Sequence, residues 1–556
     1  MKNYNGRTNN NNILNESRWA RRDEIESSSL KIDLEADSYE GAGLPVISDA
    51  KTAFIDNSDK HSIIFGSTGS KKTRLFCMPM INMMVKAGES FIVTDPKGEL
   101  YAKTSGIAKE NGYEIIVLDF RNIGEGDCWN PLEIPYELYH NGNKDLAMTL
   151  INDFVTSLSE SHRKTTVDLF WIEMAAALAL ANLTLLMECG KKEEVHLASF
   201  SSMCSNQSVE ILQKIAHYID EKTIAGMNYK SVFTSAEKTL QSIQVSLYAW
   251  VRIFVTQKKL TKMLSTNTFD TRNIGKKKTG VYIIVPDEKT TYHFLVTTFI
   301  KQVYETLVNE AQKEQEGQLP IRVNFILDEF CNIPAIPDMP AMISAARSRN
   351  MRYFLIVQGM HQMNAKYKDD AETIKGNCEN WVFLTSKELS LLNEISDLCG
   401  VIRTGTGERR KLISVSELQR LDKERGEVLL LYGRKYPFIT ELADIDEYEM
   451  FKGYDPCEKT KRDTQLCSMF SLNRVYNLVR NGAILFEDDV EDVAENIDEL
   501  VAQRNSRVET FSEIKNIVSK TRKTKKETQS DSTDIDLQAE LEKKFDEIFG
   551  DNEEDE

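Results

Sequence analysis

The sequence has few features of a secreted, disulfide-bonded or metal-binding protein. Its 556 residues include nine cysteines, an odd number, and none of them forms a CxxC pair. Its seven histidines form no cluster with the spacing of metal ligands. The chain begins with a polar, asparagine-rich segment that contains Asn9–Asn12 and does not resemble a signal peptide. These absences predict a protein of the reducing cytoplasm, without disulfides or a zinc knuckle.

Long apolar runs are also scarce. The one long run is Leu169–Met187, and it contains both Glu173 and Asn182. Because a charge at membrane depth is costly, this run predicts a buried helix of a folded domain and not a membrane span.

The negative charge is unevenly distributed along the chain. The net charge is −17, but residues 487–499 hold eight acidic residues and no basic ones. Residues 527–556 hold thirteen acidic residues against two lysines, so the rest of the chain carries about +2. A nearly neutral body can still bind DNA through local basic loops. Lys276–Lys278 and Arg409–Lys411 are candidates either for such loops or for solvent-facing turns.

Eight short apolar runs predict strands, and turn residues or helical patterns follow them. Such runs are typical of a mostly parallel sheet buried on both faces, which indicates an α/β fold. The runs are Ser62–Phe65, Ser90–Thr94, Glu114–Leu118, Val281–Val285, Val323–Leu327, Tyr353–Val357, Trp381–Thr385 and Val428–Tyr432.

A glycine-containing loop follows the first of these runs. Residues 63–73 read IIFGSTGSKKT, which fits the phosphate-binding pattern G-x-x-x-x-G-K-[ST] at all but one position. In such a loop the backbone N–H groups hold phosphates, the lysine contacts the β- and γ-phosphates, and the final hydroxyl binds Mg²⁺. The candidate nucleotide-binding residues are Gly66, Ser67, Thr68, Gly69, Ser70, Lys71, Lys72 and Thr73, with Lys72 also catalytic and Thr73 a metal ligand.

Lys71 occupies the position of the second glycine in this pattern. Glycine lets the backbone approach the phosphates without a Cβ in the way, and it adopts positive φ without strain. If position 71 needs positive φ, a lysine there costs about 1–2 kcal/mol, although its charge suits phosphate. The loop therefore predicts a nucleotide-driven motor, or a protein that keeps the fold and has lost the motor activity.

Polar residues end two further predicted strands. Val323–Leu327 is followed by Asp328 and Glu329, and Tyr353–Val357 is followed by Gln358. The aspartate would support Mg²⁺, and the glutamate would orient and deprotonate the attacking water. Gln358 would sense the γ-phosphate. Together with the loop, these residues predict a P-loop NTPase that uses ATP and Mg²⁺.

Helical periodicity without strand patterns separates the third predicted strand from the fourth. The simplest arrangement is an all-α domain inserted into an α/β domain. The predicted parts are a polar segment at 1–50, nucleotide-binding parts at 51–136 and 276–450, the all-α domain at 137–275, and an acidic helical or disordered tail at 451–556.

Five short motifs occur in a fixed order along residues 17–450. They are Ser17–Ala20, Thr94–Leu100 (TDPKGEL), Trp129–Pro131, Val285–Pro286, and Val357–Gln358 with Gln362. This set resembles the VirD4/TraG-type coupling proteins, which are the ATPases that feed DNA into type IV secretion and conjugation machines. The sequence is most similar to the versions found on conjugative elements of Gram-positive bacteria.

The resemblance implies a RecA-like motor domain with an all-α domain, assembled as a homo-hexamer around single-stranded DNA. It implies DNA-stimulated ATP hydrolysis, and partners that include a relaxase or relaxosome and the components of a secretion channel. In the family an arginine of one subunit reaches the nucleotide of its neighbour, and Arg347 matches its position. Arg349 and Arg352 are the alternatives.

Two features depart from the family pattern. One is Lys71, and the other is the lack of the N-terminal transmembrane helices that members usually carry. The second departure predicts a cytoplasmic protein at the inner face of the plasma membrane, for which either a partner supplies the membrane anchor or the protein docks peripherally on the membrane machine. Two alternatives are a catalytically impaired scaffold that binds relaxase or DNA, and a soluble DNA pump of the HerA/FtsK kind. The TDPKGEL motif and the helical insert argue against the pump.

Overall fold

The computed structural model describes residues 17–162, 169–403, 408–461 and 467–481. Its strands are β1 (Leu30–Asp33), β2 (Leu44–Ser48), β3 (Thr52–Asp56), β4 (Ser62–Gly66), β5 (Ser90–Asp95), β6 (Glu114–Asp119), β7 (Thr279–Ile284), β8 (Val323–Leu327), β9 (Met351–Val357), β10 (Asn380–Thr385), β11 (Val401–Arg403), β12 (Arg409–Lys411), β13 (Glu427–Tyr432) and β14 (Phe438–Glu441). Its α-helices are α1 (Arg22–Glu26), α2 (Met78–Ala87), α3 (Glu99–Glu110), α4 (Glu133–His140), α5 (Lys144–His162), α6 (Leu169–Cys189), α7 (Leu197–Met203), α8 (Val209–Ala216), α9 (Ile224–Phe233), α10 (Glu237–Val251), α11 (Ile253–Thr256), α12 (Lys258–Met263), α13 (His293–Lys313), α14 (Met339–Ala346), α15 (Met360–Tyr367), α16 (Asp370–Asn377), α17 (Leu389–Leu398), α18 (Val415–Leu418) and α19 (Leu472–Arg480).

Nine strands form the central sheet, in the order β14-β13-β10-β4-β9-β8-β5-β7-β6. The seven strands from β10 to β6 are parallel, and β13 and β14 extend one edge in antiparallel pairing. Every residue of β4, β5, β7, β8 and β9 is buried, as expected of a sheet covered on both faces. The predicted α/β class and all eight predicted strands are confirmed.

The strand order determines where the functional loops meet. The glycine loop follows β4, the Asp-Glu pair follows β8, and β9 lies between these two strands. Because all three strands are parallel, their carboxyl ends meet at the same edge of the sheet. Gln358, directly after β9, therefore emerges between the loop and the Asp-Glu pair.

The described residues between β6 and β7 are mostly helical, as the periodicity predicted. Helices α4 to α12 lie within 133–162 and 169–263. Helix α6 is long and apolar enough to cross a membrane, but it packs against α5, α9 and α10. Of its most apolar stretch of 18 residues, 56% is buried inside the protein. These contacts agree with the predicted buried helix.

The N-terminal part has more structure than the predicted polar segment suggested. Strands β1, β3 and β2 form a three-stranded antiparallel sheet, and every residue of β2 is buried. The strands are only four or five residues long, and β1 exposes alternate residues. The sequence pattern was too short to predict them, since their burial depends on contacts with the central domain.

The described residues after 451 contact first the central domain and then the helical insert. The backbone N–H of Cys457 donates to Ser105 Oγ at 3.0 Å, so this stretch lies along α3. Gly106 permits this contact, since a Cβ there would lie 2.2 Å from the carbonyl oxygen of Asp455. Helix α19 then packs on α8. Most of the predicted acidic tail, residues 482–556, lies outside the described residues.

Candidate nucleotide site

The phosphate-binding loop connects β4 to a π-helical turn at Thr73–Cys77, which continues into α2. Position 66 requires glycine, because a Cβ there would lie only 2.4 Å from Ser70 Oγ. Gly69 has a φ of 76°. The buried Lys72 folds back over the loop, and its Nζ donates to the carbonyl oxygen of Gly66 at 2.6 Å. The loop is therefore compact, and its lysine lies against its first residue.

Lys71 adopts the conformation that the missing glycine would have had. Its φ is 66°, which lies in the left-handed region, so the position does require positive φ. Its side chain leaves the loop, and its Nζ lies 2.9 Å from Glu424 Oε2. The lysine therefore does not fill the phosphate position, and it leaves the loop open to a ligand.

The Asp-Glu pair and Gln358 meet the loop at the carboxyl edge of the sheet. Thr73 Oγ1 donates to Asp328 Oδ2 at 3.4 Å. Glu329 Oε1 lies 3.9 Å from Lys72 Nζ, and Gln358 Nε2 donates to Glu329 Oε2 at 2.7 Å. Five side chains predicted from separate parts of the sequence thus form one pocket.

Two acidic side chains in this pocket face a single ammonium group. The pKa of Asp328 is raised to about 7, because burial removes its carboxylate from water and the charge of Glu329 repels it. Lys72 opposes this rise but does not cancel it. A carboxylate with a raised pKa binds an added cation favourably, since a cation beside it stabilises the charged form.

The pocket fits a magnesium–nucleotide complex. Thr73 and Asp328 offer hard oxygen ligands, and Mg²⁺ typically takes only one or two protein ligands beside phosphates and water. In the described part of the chain no group of three or more His, Cys, Asp or Glu side chains could hold a metal alone. Among the same residues, buried Ser70 Oγ has no hydrogen-bond partner, which suits a loop that closes on phosphate oxygens.

Arg347 lies away from this pocket in its own chain. It precedes β9, and it pairs with Asp59 before β4 and with Glu379 before β10. All three residues are thus at the amino edge of the sheet, opposite the nucleotide loop. Arg352, one of the alternatives, is fully buried in β9 and is bound to Glu89, so it cannot reach another subunit.

Sequence reasoning missed three residues that support the pocket. Thr94, within the TDPKGEL motif, donates from Oγ1 to the carbonyl oxygen of Asp328 at 2.8 Å. The side chain of Asn332 reaches Glu329 Oε2 at 3.4 Å, and the buried His293 contacts the carbonyl oxygen of Asn332 at 3.0 Å. The position of Thr94 in the motif was a usable signal, whereas His293 and Asn332 carried none.

Comparisons with known proteins agree with this geometry. TraG, a conjugal transfer protein of Escherichia coli, is 21% identical over 345 residues, which cover 57% of this chain and 51% of TraG. The type 4 coupling protein DotL of Legionella pneumophila is 30% identical over 136 residues, covering 24% of this chain and 17% of DotL. The chain spans about half the length of the TraG proteins it matches, 51% and 52%.

A solved structure shows the same fold. The plasmid coupling protein TrwB, in complex with the non-hydrolysable ATP analogue ADPNP, superposes with a TM-score of 0.57 at 12% identity, covering 82% of this chain and 97% of TrwB. This likeness confirms the RecA-like fold that the motifs implied. Residues 18–418 match the family described as type IV secretory system conjugative DNA transfer, and the chain therefore belongs to that family.

Proposed function

We propose that this chain is the coupling ATPase of a conjugative type IV secretion system. It recruits a relaxase–DNA complex and drives single-stranded DNA toward the secretion channel. The observation that carries the proposal is the pocket formed by Lys72, Thr73, Asp328, Glu329 and Gln358 in a member of this family. That TrwB was solved with an ATP analogue and with ADP and Mg²⁺ supports ATP and Mg²⁺ as the ligands.

Each side chain in the pocket has a defined task. The loop amides and Lys72 hold the β- and γ-phosphates, and Thr73 with Asp328 holds the metal. Mg²⁺-ATP supplies the phosphoryl group whose transfer to water drives the motor. Glu329 orients that water and accepts its proton, while Gln358 holds the carboxylate of Glu329 through its amide.

Membership of the family supports a proposal for assembly and partners. We propose a homo-hexamer around DNA in which Arg347 of one subunit acts at the nucleotide of the next. The partners are a relaxase or relaxosome, channel components and a membrane-anchor protein that holds the chain at the inner face of the plasma membrane. The predicted Gram-positive origin stays a prediction.

Both basic loops expose all three of their basic residues, so each is a candidate for DNA contacts. Lys411, on β12, is paired with Asp397. Lys276, in the other loop, is paired with the buried carboxylate of Glu310, which neutralises its charge. Contacts of this kind are electrostatic and independent of the DNA sequence.

The scaffold alternative depended on Lys71 blocking the loop. The side chain of Lys71 points to Glu424 and the remaining pocket is complete, so the geometry favours a working motor. The soluble pump alternative is not favoured either, since the matched family is one of conjugative transfer.

Lys72→Ala and Glu329→Gln test the proposed activity in the assembled protein with single-stranded DNA. We expect Lys72→Ala to lose nucleotide binding, because the phosphates lose their ammonium partner. Glu329→Gln should keep binding and hydrolyse ATP at least about a hundredfold more slowly, because the base is gone. The measurement is phosphate release with and without DNA, together with titration of a fluorescent ATP analogue.

Lys31→Ala, which removes an exposed lysine from β1, is the matched control and should hydrolyse ATP at the wild-type rate. Unchanged hydrolysis in both pocket variants would exclude the proposed motor.

A further inference from the structure

Two cationic side chains of the loop region turn away from the phosphate position. Lys71 Nζ lies 2.9 Å from Glu424 Oε2 and 4.0 Å from Asp444 Oδ2, and it also donates to the carbonyl oxygen of Glu424 at 3.4 Å. Arg74 binds the carboxylates of both Asp444 and Asp446. Glu424, Asp444 and Asp446 thus form an outer carboxylate cluster beside the loop.

The outer carboxylate cluster is built on one end of the β13–β14 hairpin. The turn at 422–426 leads into β13, and Asp444 follows β14. Within the turn, Asp422 Oδ1 accepts from the N–H of Glu424 at 3.0 Å. The N–H of Leu442 donates to the carbonyl oxygen of Gly426 at 3.0 Å, which joins the turn to the end of β14. The backbone therefore holds Glu424 in place independently of Lys71.

The hairpin end faces the loop because of the sheet topology. Strand β13 runs antiparallel to β10, which lies next to β4, so the start of β13 is at the edge where β4 ends. The side chain of Lys71 is about a quarter exposed and that of Asp444 is one-fifth exposed, whereas that of Glu424 is 70% exposed. The ammonium end of the pair is therefore less screened by water than a fully exposed one.

The contact falls on the one residue of the loop that departs from the phosphate-binding pattern. Lys71 holds a φ of 66°, a conformation that glycine adopts freely and that lysine avoids. In a relaxed conformation with negative φ, its N–H and that of Lys72 would point in other directions. The side chain of Lys71 contacts Glu424 while its backbone has positive φ. These contacts therefore stabilise the strained conformation relative to the relaxed one.

We propose that Glu424, supported by Asp444, is a positioning residue that holds Lys71 in the left-handed conformation needed for phosphate binding. The lysine–glutamate pair thereby replaces the conformational freedom of the missing glycine. This inference rests on the proposed function, since it concerns the same nucleotide site.

A double-mutant cycle between positions 71 and 424 tests the inference. Glu424→Gln removes the charge of a side chain that is 70% exposed, so the variant should fold normally. In the natural sequence we expect it to weaken binding of a Mg²⁺-loaded fluorescent ATP analogue about fivefold. In the K71G background the same change should have no effect, because glycine needs no support. The KM for ATP should rise while kcat at saturating ATP stays constant, since only binding is altered.

Glu441→Gln is the matched control, because Glu441 is an exposed carboxylate on the same hairpin, and it should leave binding unchanged in both backgrounds. An equal effect of Glu424→Gln in both backgrounds, tighter binding, or no effect in the natural sequence would overturn the positioning role while leaving the motor proposal intact. Failure of the wild-type chain to bind the analogue would overturn both proposals, so the two failures are distinguishable.

Discussion

His61 is buried just before β4, with both ring nitrogens engaged. Its Nε2 donates to the carbonyl oxygen of Ile343 at 2.7 Å, and its Nδ1 accepts from the N–H of Tyr353 at 3.0 Å. Only the neutral ring can make both bonds, because the Nδ1 that accepts must carry a lone pair. Burial lowers the pKa of His61 to about 4, since a charged imidazole would lose its hydration.

This residue predicts a pH dependence of stability. The pKa of His61 is lower in the folded state than its ordinary value of about 6.5, so its contribution is present above pH 6.5 and lost as the pH falls through 4. We expect the wild type to lose about 3 kcal/mol more unfolding free energy than His61→Asn between pH 7 and pH 4. Urea unfolding of both proteins across this range measures the difference. Parallel pH profiles would contradict the assignment.

At this same scale, the sequence predicted that the glycine loop and the Asp-Glu pair lie together, because the spacing of a phosphate loop and of a strand ending in Asp-Glu is local. Lys72, Asp328 and Glu329 meet as expected. The direction of the Lys71 side chain could not be predicted, since its partner Glu424 is 353 residues away in sequence.

Among the elements, the three-stranded sheet depends on one buried arginine of the central sheet. Arg352 in β9 donates to the carbonyl oxygen of Ala42 at 3.0 Å and to that of Ser58 at 2.9 Å. It also donates to Glu89 and Asn324, at 3.0 Å and 2.8 Å, and to the carbonyl oxygen of Asp56 at 3.5 Å. Burial lowers its pKa to about 10, which leaves it charged at neutral pH.

Arg352→Leu should therefore destabilise the protein by about 3–5 kcal/mol, because it breaks the pair with the half-buried Glu89, which keeps only the more distant Arg322, and leaves the carbonyl oxygens of Ala42 and Ser58 without their donor. The measurement is the urea unfolding free energy at neutral pH. Arg349→Leu is the matched control, with an expected loss below about 1 kcal/mol, since Arg349 donates only to Ala345 and Ser348 nearby. Equal losses in both variants would contradict the role of Arg352.

The strands of the central sheet were easier to predict from the sequence than those of the three-stranded sheet. The eight core strands are continuous apolar runs, and burial on both faces makes such runs visible in sequence. Strands β1, β2 and β3 are short, and their burial comes from Arg352 and other distant contacts, so no local pattern marked them.

For the whole molecule, the proposed role of Arg347 predicts that hydrolysis depends on assembly. In its own chain this arginine is held by Asp59 and Glu379, 3.1 Å and 2.6 Å away, at the edge opposite the pocket. If it acts at the nucleotide of a neighbour, Arg347→Ala should lower DNA-stimulated hydrolysis about a thousandfold or more and leave nucleotide binding unchanged.

Mixed assemblies give a sharper test of action between subunits. An Arg347→Ala subunit has an intact pocket, and a Glu329→Gln subunit has an intact arginine. A mixture of the two inactive variants should therefore recover part of the wild-type rate of phosphate release. If mixtures that still assemble recover no phosphate release, Arg347 does not act at the nucleotide of a neighbouring subunit.

The sequence by itself determined the family and the parallel sheet, and it predicted that the glycine loop and the Asp-Glu pair lie together, because each of these depends on short-range spacing or on runs of apolar residues. Only the tertiary structure decided that Lys71 points to Glu424 and that Arg347 is held by Asp59 and Glu379. These pairings join residues far apart in sequence, and sheet topology alone brings them together.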